Sequence, residues 1–105
     1  MSGALRYAMT LTKRLHAPIV AGDVTCSVRI WRGPRVKVVG RYRLGSGAVE
    51  VTGLRQIEFG DITPELARRL GFAWVVDLLK VAKHGPGERV YLVEFAYREG
   101  EASAI

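Results

Sequence analysis

Two hydrophobic periods divide this chain, and the change from one to the other is the tightest limit on its fold. Residues 24–31 (VTCSVRIW) alternate, with Val24, Cys26, Val28 and Ile30 pointing one way and Thr25, Ser27, Arg29 and Trp31 the other. Residues 36–44 repeat the pattern, placing Val36, Val38, Tyr42 and Leu44 opposite Lys37, Arg41 and Arg43. The Gly45-Ser46-Gly47 turn then predicts a hairpin into a strand over 48–59, with a bulge at Gly53. At Thr63 the period becomes helical. Threonine suits an N-cap, Pro64 the first helical position and Glu65 the positive end of the helix dipole, while Gly71 closes a short helix. Ile62 is placed to staple onto Ala67.

Phe72, Val75, Val76, Leu79 and Ala82 then recur at helical spacing, and Trp74 falls within this apolar, core-facing stripe. Lys80, Lys83 and His84 fill the last turn before Gly85, where cations complement the helix dipole. Alternation returns over 89–97, with Tyr91, Val93, Phe95 and Tyr97 on one side. Nearer the N-terminus, 5–11 reads as a first strand and 13–21 as a short helix ended by Gly22; Pro18 permits helix from itself onward. A single domain over 1–98 with a flexible tail at 99–105 is expected. The whole is β-rich with a helical insert, an α+β small barrel.

With 105 residues, 49% of them hydrophobic, there is material for one small core, so the same domain must carry the function. Charge is the more selective clue. The formal net charge is +6, but residues 1–55 hold ten Lys/Arg against only Asp23 and Glu50, and no acid occurs from Val24 to Val49. Such a block attracts polyanions through its long-range field and counterion release, with phosphate the obvious partner; a merely solvated arginine-rich surface is the alternative. Cys26 is the only cysteine, and His16 and His84 lie far apart, so neither an internal disulfide nor a metal or cofactor site is expected. The apolar runs are short and charges interrupt the N-terminal stretch. Neither a membrane span nor a secretory peptide is expected, and the cytoplasm is the default compartment.

Gly22, Thr25, Ser27 and Arg29 follow a Gly-x-x-Thr-x-(Ser/Thr)-x-Arg pattern, and the segment DITPELARRLGF comes later at a matching distance. Together these resemble the ASCH domain of the PUA-like superfamily over nearly the whole chain. The resemblance implies a mixed or antiparallel barrel of about six strands with short flanking helices, and a groove running through Thr25, Ser27 and Arg29. It also implies RNA binding or RNA-related metabolism, and some small members are amidohydrolases acting on acetylated cytidine. Those enzymes carry a lysine where this chain has Val24, which can neither accept a proton nor hold charge. Their glutamate just after the first helix of the insert is also missing, because Arg68, Arg69, Leu70, Gly71 and Phe72 occupy that stretch.

No catalytic residue is therefore assigned, and an RNA- or nucleotide-binding module is the expected function. Arg29 offers a planar donor fork, Thr25 and Ser27 add smaller donors, and Trp31 is placed either to stack on an unpaired base or to sit half-buried at a rim. Arg32, Arg35, Lys37, Arg41 and Arg43 would extend a phosphate track. Cys26, on the opposite face, reads as a core residue, His84 as a capping cation, and His16 is left open. Two alternatives remain: a ribonuclease or modified-nucleoside hydrolase using the same groove, and a protein-interaction domain if Trp31, Tyr42 and Tyr91 form an exposed apolar patch.

Overall fold

The computed structural model describes residues 5–6, 11, 13–83 and 87–99. Its elements run β1 (Leu5–Arg6), a 3-10 turn (Lys13–Leu15), α1 (His16–Ala21), β2 (Cys26–Trp31), β3 (Arg41–Leu44) and β4 (Gly47–Ile57). A 3-10 turn (Phe59–Asp61), α2 (Pro64–Arg69), α3 (Val75–Ala82) and β5 (Arg89–Arg98) follow. The sheet order is β1-β3-β4-β5-β2; the last four strands are antiparallel and curl into a half-barrel, while β1 adds in parallel to β3. The fold is thus α+β, a half-barrel with short helices.

Alternation places the strands correctly where the turn chemistry is simple. β3 and β4 form the hairpin, Leu44 facing Gly47, and the bulge falls between Val51 and Gly53. The strand expected over 36–44 is only half formed. Residues before Arg41 fold into a turn in which Gly40 N donates to Lys37 O at 2.9 Å, Lys37 N donates to the Tyr42 hydroxyl at 3.2 Å, and Val39 has a left-handed φ of 61°. Val39 N still donates to Val51 O at 2.8 Å, so the turn is tied to β4.

The helical insert shows how caps fix a boundary. Leu66 N donates to Thr63 Oγ1 at 3.1 Å, satisfying a donor that the first turn leaves without a helical partner. α3 begins at Val75 rather than at Phe72, since Trp74 is extended and serves as its N-cap residue. That start changes the helical phase. Leu78 and Ala82 are buried and Val75 and Leu79 half-buried, whereas Val76 is exposed. Trp74 is 69% exposed, so its expected place in the core is corrected.

α3 packs on β2 and α2. The core is led by Trp31, Val49, Val51 and Val93 of the sheet, with Ile19, Leu70 and Leu78 from the helical side, all fully buried. Val28, Ile30 and Cys26 join it, as the alternation of β2 predicts. Of the first strand expected over 5–11, Leu5–Arg6 is seen as β1 and Leu11 is buried; residues 7–10 lie outside the described residues, as do His84, Gly85 and the tail beyond 99.

Two substitutions test this account of the insert. Thr63→Ala should lower stability by about 1 kcal/mol in urea unfolding through loss of the cap. Gly71→Ala should cost more, because φ there is +92° and an added Cβ would approach Leu15 Cδ2 to 2.5 Å. A smaller loss for Gly71→Ala than for Thr63→Ala would contradict the assigned geometry.

Candidate functional site

β2 is paired along one edge by β5, in a register that sets Arg29 opposite Tyr91 and Ser27 opposite Val93. Along the other edge Ile30 makes a parallel bridge to Lys83 at the end of α3. The rest of that edge borders a cavity of about 220 Å³. Four consecutive residues, Cys26 to Arg29, line it, which fits a strand met along its edge rather than on one face. Leu15 and Ile19 close one side, and Leu70, Phe72 and Leu78 another. Among the described residues of the lining, Ser27, Arg29, Lys80 and Lys83 carry the polar side chains.

Arg29 is the singular group here. It is 4% exposed, and Arg29 Nε donates to Ser27 Oγ at 3.0 Å. Burial lowers its pKa to about 10, so the guanidinium still carries its charge at neutral pH. A fixed cation beside a largely apolar cavity can bind an anion through a desolvated, charge-assisted contact. It cannot act as a proton acceptor. The Ser27 hydroxyl faces this donor, and burial is the main cause that pushes the Cys26 thiol up, with Arg69 opposing and Glu94 adding to the shift. Neither contact activates a nucleophile. His16 Nε2 lies 3.2 Å from Leu11 O, a backbone contact. Val24 is an apolar wall residue of the same cavity. Among the described residues no group of three His, Cys, Asp or Glu side chains could hold a metal ion.

The expected set is only partly gathered. Ser27 and Arg29 meet at the cavity, while Thr25 is exposed just before β2 and its carbonyl accepts a bond from Phe95 N at 2.9 Å. Trp31 is 0% exposed and packs against Tyr91, ring centroids 5.9 Å apart. Alternation separates the strand's two faces, but at Arg29 and Trp31 the second face is closed as well. Trp31 is accordingly removed from the base-stacking role expected of it. Tyr42 and Tyr91 are also buried, and the apolar patch that would favour a protein partner does not form from these three residues.

The cations divide as well. Arg32, Arg35 and Lys37 are exposed in the loop after β2, and Arg43 is exposed on β3. Arg41 lies 3.8 Å from Glu50, which also accepts from Arg98 Nε at 3.2 Å. β4 and β5 separate β3 from β2 in the sheet, so the expected track from Arg29 to Arg43 is not one row along a strand. Instead the helical insert supplies the cavity's nearer cations. The sequence marks Lys80 and Lys83 only as helix-end charges; the fold brings them to the cavity from the last turn of α3 and from the residue after it, which bridges to Ile30. A shallow groove bordered by Arg14, Phe72, Ala73 and Asp77 shares Phe72, Lys80 and Val81 with the cavity. Arg14 is held there by stacking 4.7 Å over the Phe72 ring and by donating to Gly71 O at 3.0 Å.

The state of Cys26 gives a pH test. Its pKa is raised above the ordinary 9.0, so the folded chain keeps the thiol proton to higher pH than the unfolded chain does. The resulting stability is complete below the unfolded value and declines as pH rises past it. Wild-type protein should therefore lose stability relative to Cys26→Ala when denaturation is measured above about pH 9. Parallel stability curves for the two proteins would remove Cys26 from the buried setting described. No described helix is long and apolar enough to cross a membrane. Comparison of the chain with models of known protein families, with curated proteins and with solved structures finds no match.

Proposed function

We propose that this chain is an RNA- or nucleotide-binding module of the ASCH kind, acting in the cytoplasm, with the cavity at Arg29 as its specific site. The observation that carries this reading is a buried guanidinium beside an apolar-walled cavity whose other described cations are Lys80 and Lys83. Phosphate answers the cation and a nucleobase or ribose answers the walls. Sites that enclose a drug-sized ligand span roughly 300–1,000 Å³. The present cavity, about 220 Å³, suits part of one nucleotide rather than a strand. Ser27 positions the Arg29 fork, Lys80 and Lys83 hold positive potential at the lining, and the exposed Arg32, Arg35, Lys37 and Arg43 draw a polyanion from a distance. In this reading the half-barrel corresponds to the PUA-like barrel, and Val24 leaves the pocket without the base that hydrolysis of an acetylated nucleoside would use.

Titration calorimetry with uridine monophosphate, and with uridine as the uncharged control, tests the site. The nucleotide should bind saturably and more tightly than the nucleoside. Arg29→Lys keeps a charge but loses the fork, and should weaken nucleotide binding about ten- to a hundredfold with an unchanged near-ultraviolet dichroism spectrum. Equal affinity for nucleotide and nucleoside, or no binding of either, would sink the proposal. For single-stranded RNA, Lys37→Ala should lower affinity for all sequences alike and reduce the salt slope by about 0.7. RNA or nucleoside cleavage abolished by Ser27→Ala would replace this reading with the hydrolase.

A further inference from the structure

Trp74 is the largest of the exposed apolar side chains, at 69% exposure, while the chain's other tryptophan is wholly enclosed. Its place in the fold gives that exposure a direction. Trp74 follows Ala73, a border residue of the shallow groove, and stands as the N-cap residue of α3. Within α3, Asp77, Leu78 and Val81 are at the spacing of one helix side. Asp77 and Val81 border the groove, and Leu78 and Val81 border the Arg29 cavity. The exposed indole thus adjoins the groove in the chain, next to its border residue Ala73 and at the start of the helix that supplies Asp77, Lys80 and Val81. Two cations, Arg14 and Lys80, border the same groove against one acid, Asp77.

We infer that Trp74 is a base-stacking surface for a single-stranded nucleic acid whose neighbouring nucleotide occupies the Arg29 cavity. This deepens the nucleotide-binding reading and rests on it. A cavity that accepts part of one nucleotide leaves the rest of a strand outside, and the groove sharing Phe72, Lys80 and Val81 lies at the cavity's border. There the strand's next phosphate meets Arg14 and Lys80, and its next base finds an open indole. Arg14 is already immobilised by Phe72 and Gly71 O, so little side-chain freedom is lost when it meets a phosphate. An indole face can be covered by a base only if that base is unpaired, because both faces of a paired base are occupied within a duplex. The partner is thus single-stranded RNA or DNA and not a duplex, and stacking makes it sequence-tolerant at this position. An apolar protein segment would use the indole as well but would gain nothing from the two cations.

The two tryptophans make the test direct. In the full chain, oligouridylate should quench the solvent-exposed, red-shifted part of the tryptophan emission, and a blunt RNA duplex of equal charge should leave it unchanged. Trp74→Ala should bind oligouridylate about five- to a hundredfold more weakly, retain its affinity for uridine monophosphate, and unfold at the parent's urea midpoint. Trp74→Phe should recover most of the loss. A Trp74→Ala chain that binds oligouridylate like the parent overturns the inference, as does equal quenching by duplex, or an equal loss of uridine monophosphate binding. A parent that binds uridine monophosphate but gains no affinity from a longer strand overturns the stacking surface alone. A parent that binds neither ligand overturns the nucleotide reading with it.

Discussion

β5 is the member on which the rest of the sheet depends, because it is hydrogen-bonded along one edge to β4 and along the other to β2. Val93, fully buried, sits between Leu54 and Ser27 in these two registers. A slip of one residue in β5 would turn Val93 and Phe95 away from the core and shift Tyr91 from its place opposite Arg29. The chain enters this strand at Gly87, where φ is +126° and an added Cβ would overlap the backbone of Trp31 and Arg32. Only glycine lets the two segments approach so closely. β2 ends at residue 31 and its partner begins at 89. Loop-closure entropy grows slowly with length, so this separation bears on how fast the sheet forms more than on how stable it is.

The same arrangement makes the site. Since β2 has a full partner on one side only, its other edge meets the helices, and the space left between them is the cavity that Arg29 borders. A guanidinium buried there carries a desolvation cost that an apolar side chain of similar volume would not. Small domains retain roughly 5–15 kcal/mol of net stability, which leaves room for few such positions. The bond to Ser27 is one of the contacts that offset this cost, and on the proposed reading a bound anion is another. At neutral pH Arg29 holds its proton, burial favours the protonated Cys26 thiol, and Val24 contributes an apolar wall.

Much of the half-barrel is legible in the sequence because its signals are local. The Gly45-Ser46-Gly47 turn, the Gly53 bulge, the Thr63-Pro64 helix start and the β5 alternation each depend on a few adjacent residues, and each lies where those residues put it. Errors arise where a distant element decides. Alternation gives Arg29 and Trp31 a shared face, but both are buried, Trp31 against Tyr91 of β5. Periodicity gives residues 72–82 an apolar stripe, yet the extended backbone at Trp74 moves the helix start to Val75 and leaves the indole outside. The turn at 36–40 follows from the Tyr42 hydroxyl meeting Lys37 N, a contact with no periodic signature. Of the site, Ser27 and Arg29 are readable from the strand, whereas Lys80 and Arg14 become part of it only when the insert folds back.

The tryptophans and the arginines exchange roles for one physical reason. Large apolar side chains beside an edge strand are covered by whatever packs there, and cations stay outside unless a hydrogen bond draws them in. Tyr91 of β5 packs against Trp31, and Ser27 supplies a bond for Arg29. The remaining positive charge is thereby divided. Arg32, Arg35, Lys37 and Arg43 are exposed on a loop and an outer strand, where their field reaches several ångströms into solvent but is screened by salt. Arg29 acts only at contact and in a less polar setting, where one hydrogen-bonded charge counts for more. On the proposed reading these are separate jobs: the exposed set governs how often a polyanion arrives, and the buried guanidinium with its cavity governs how long one nucleotide stays.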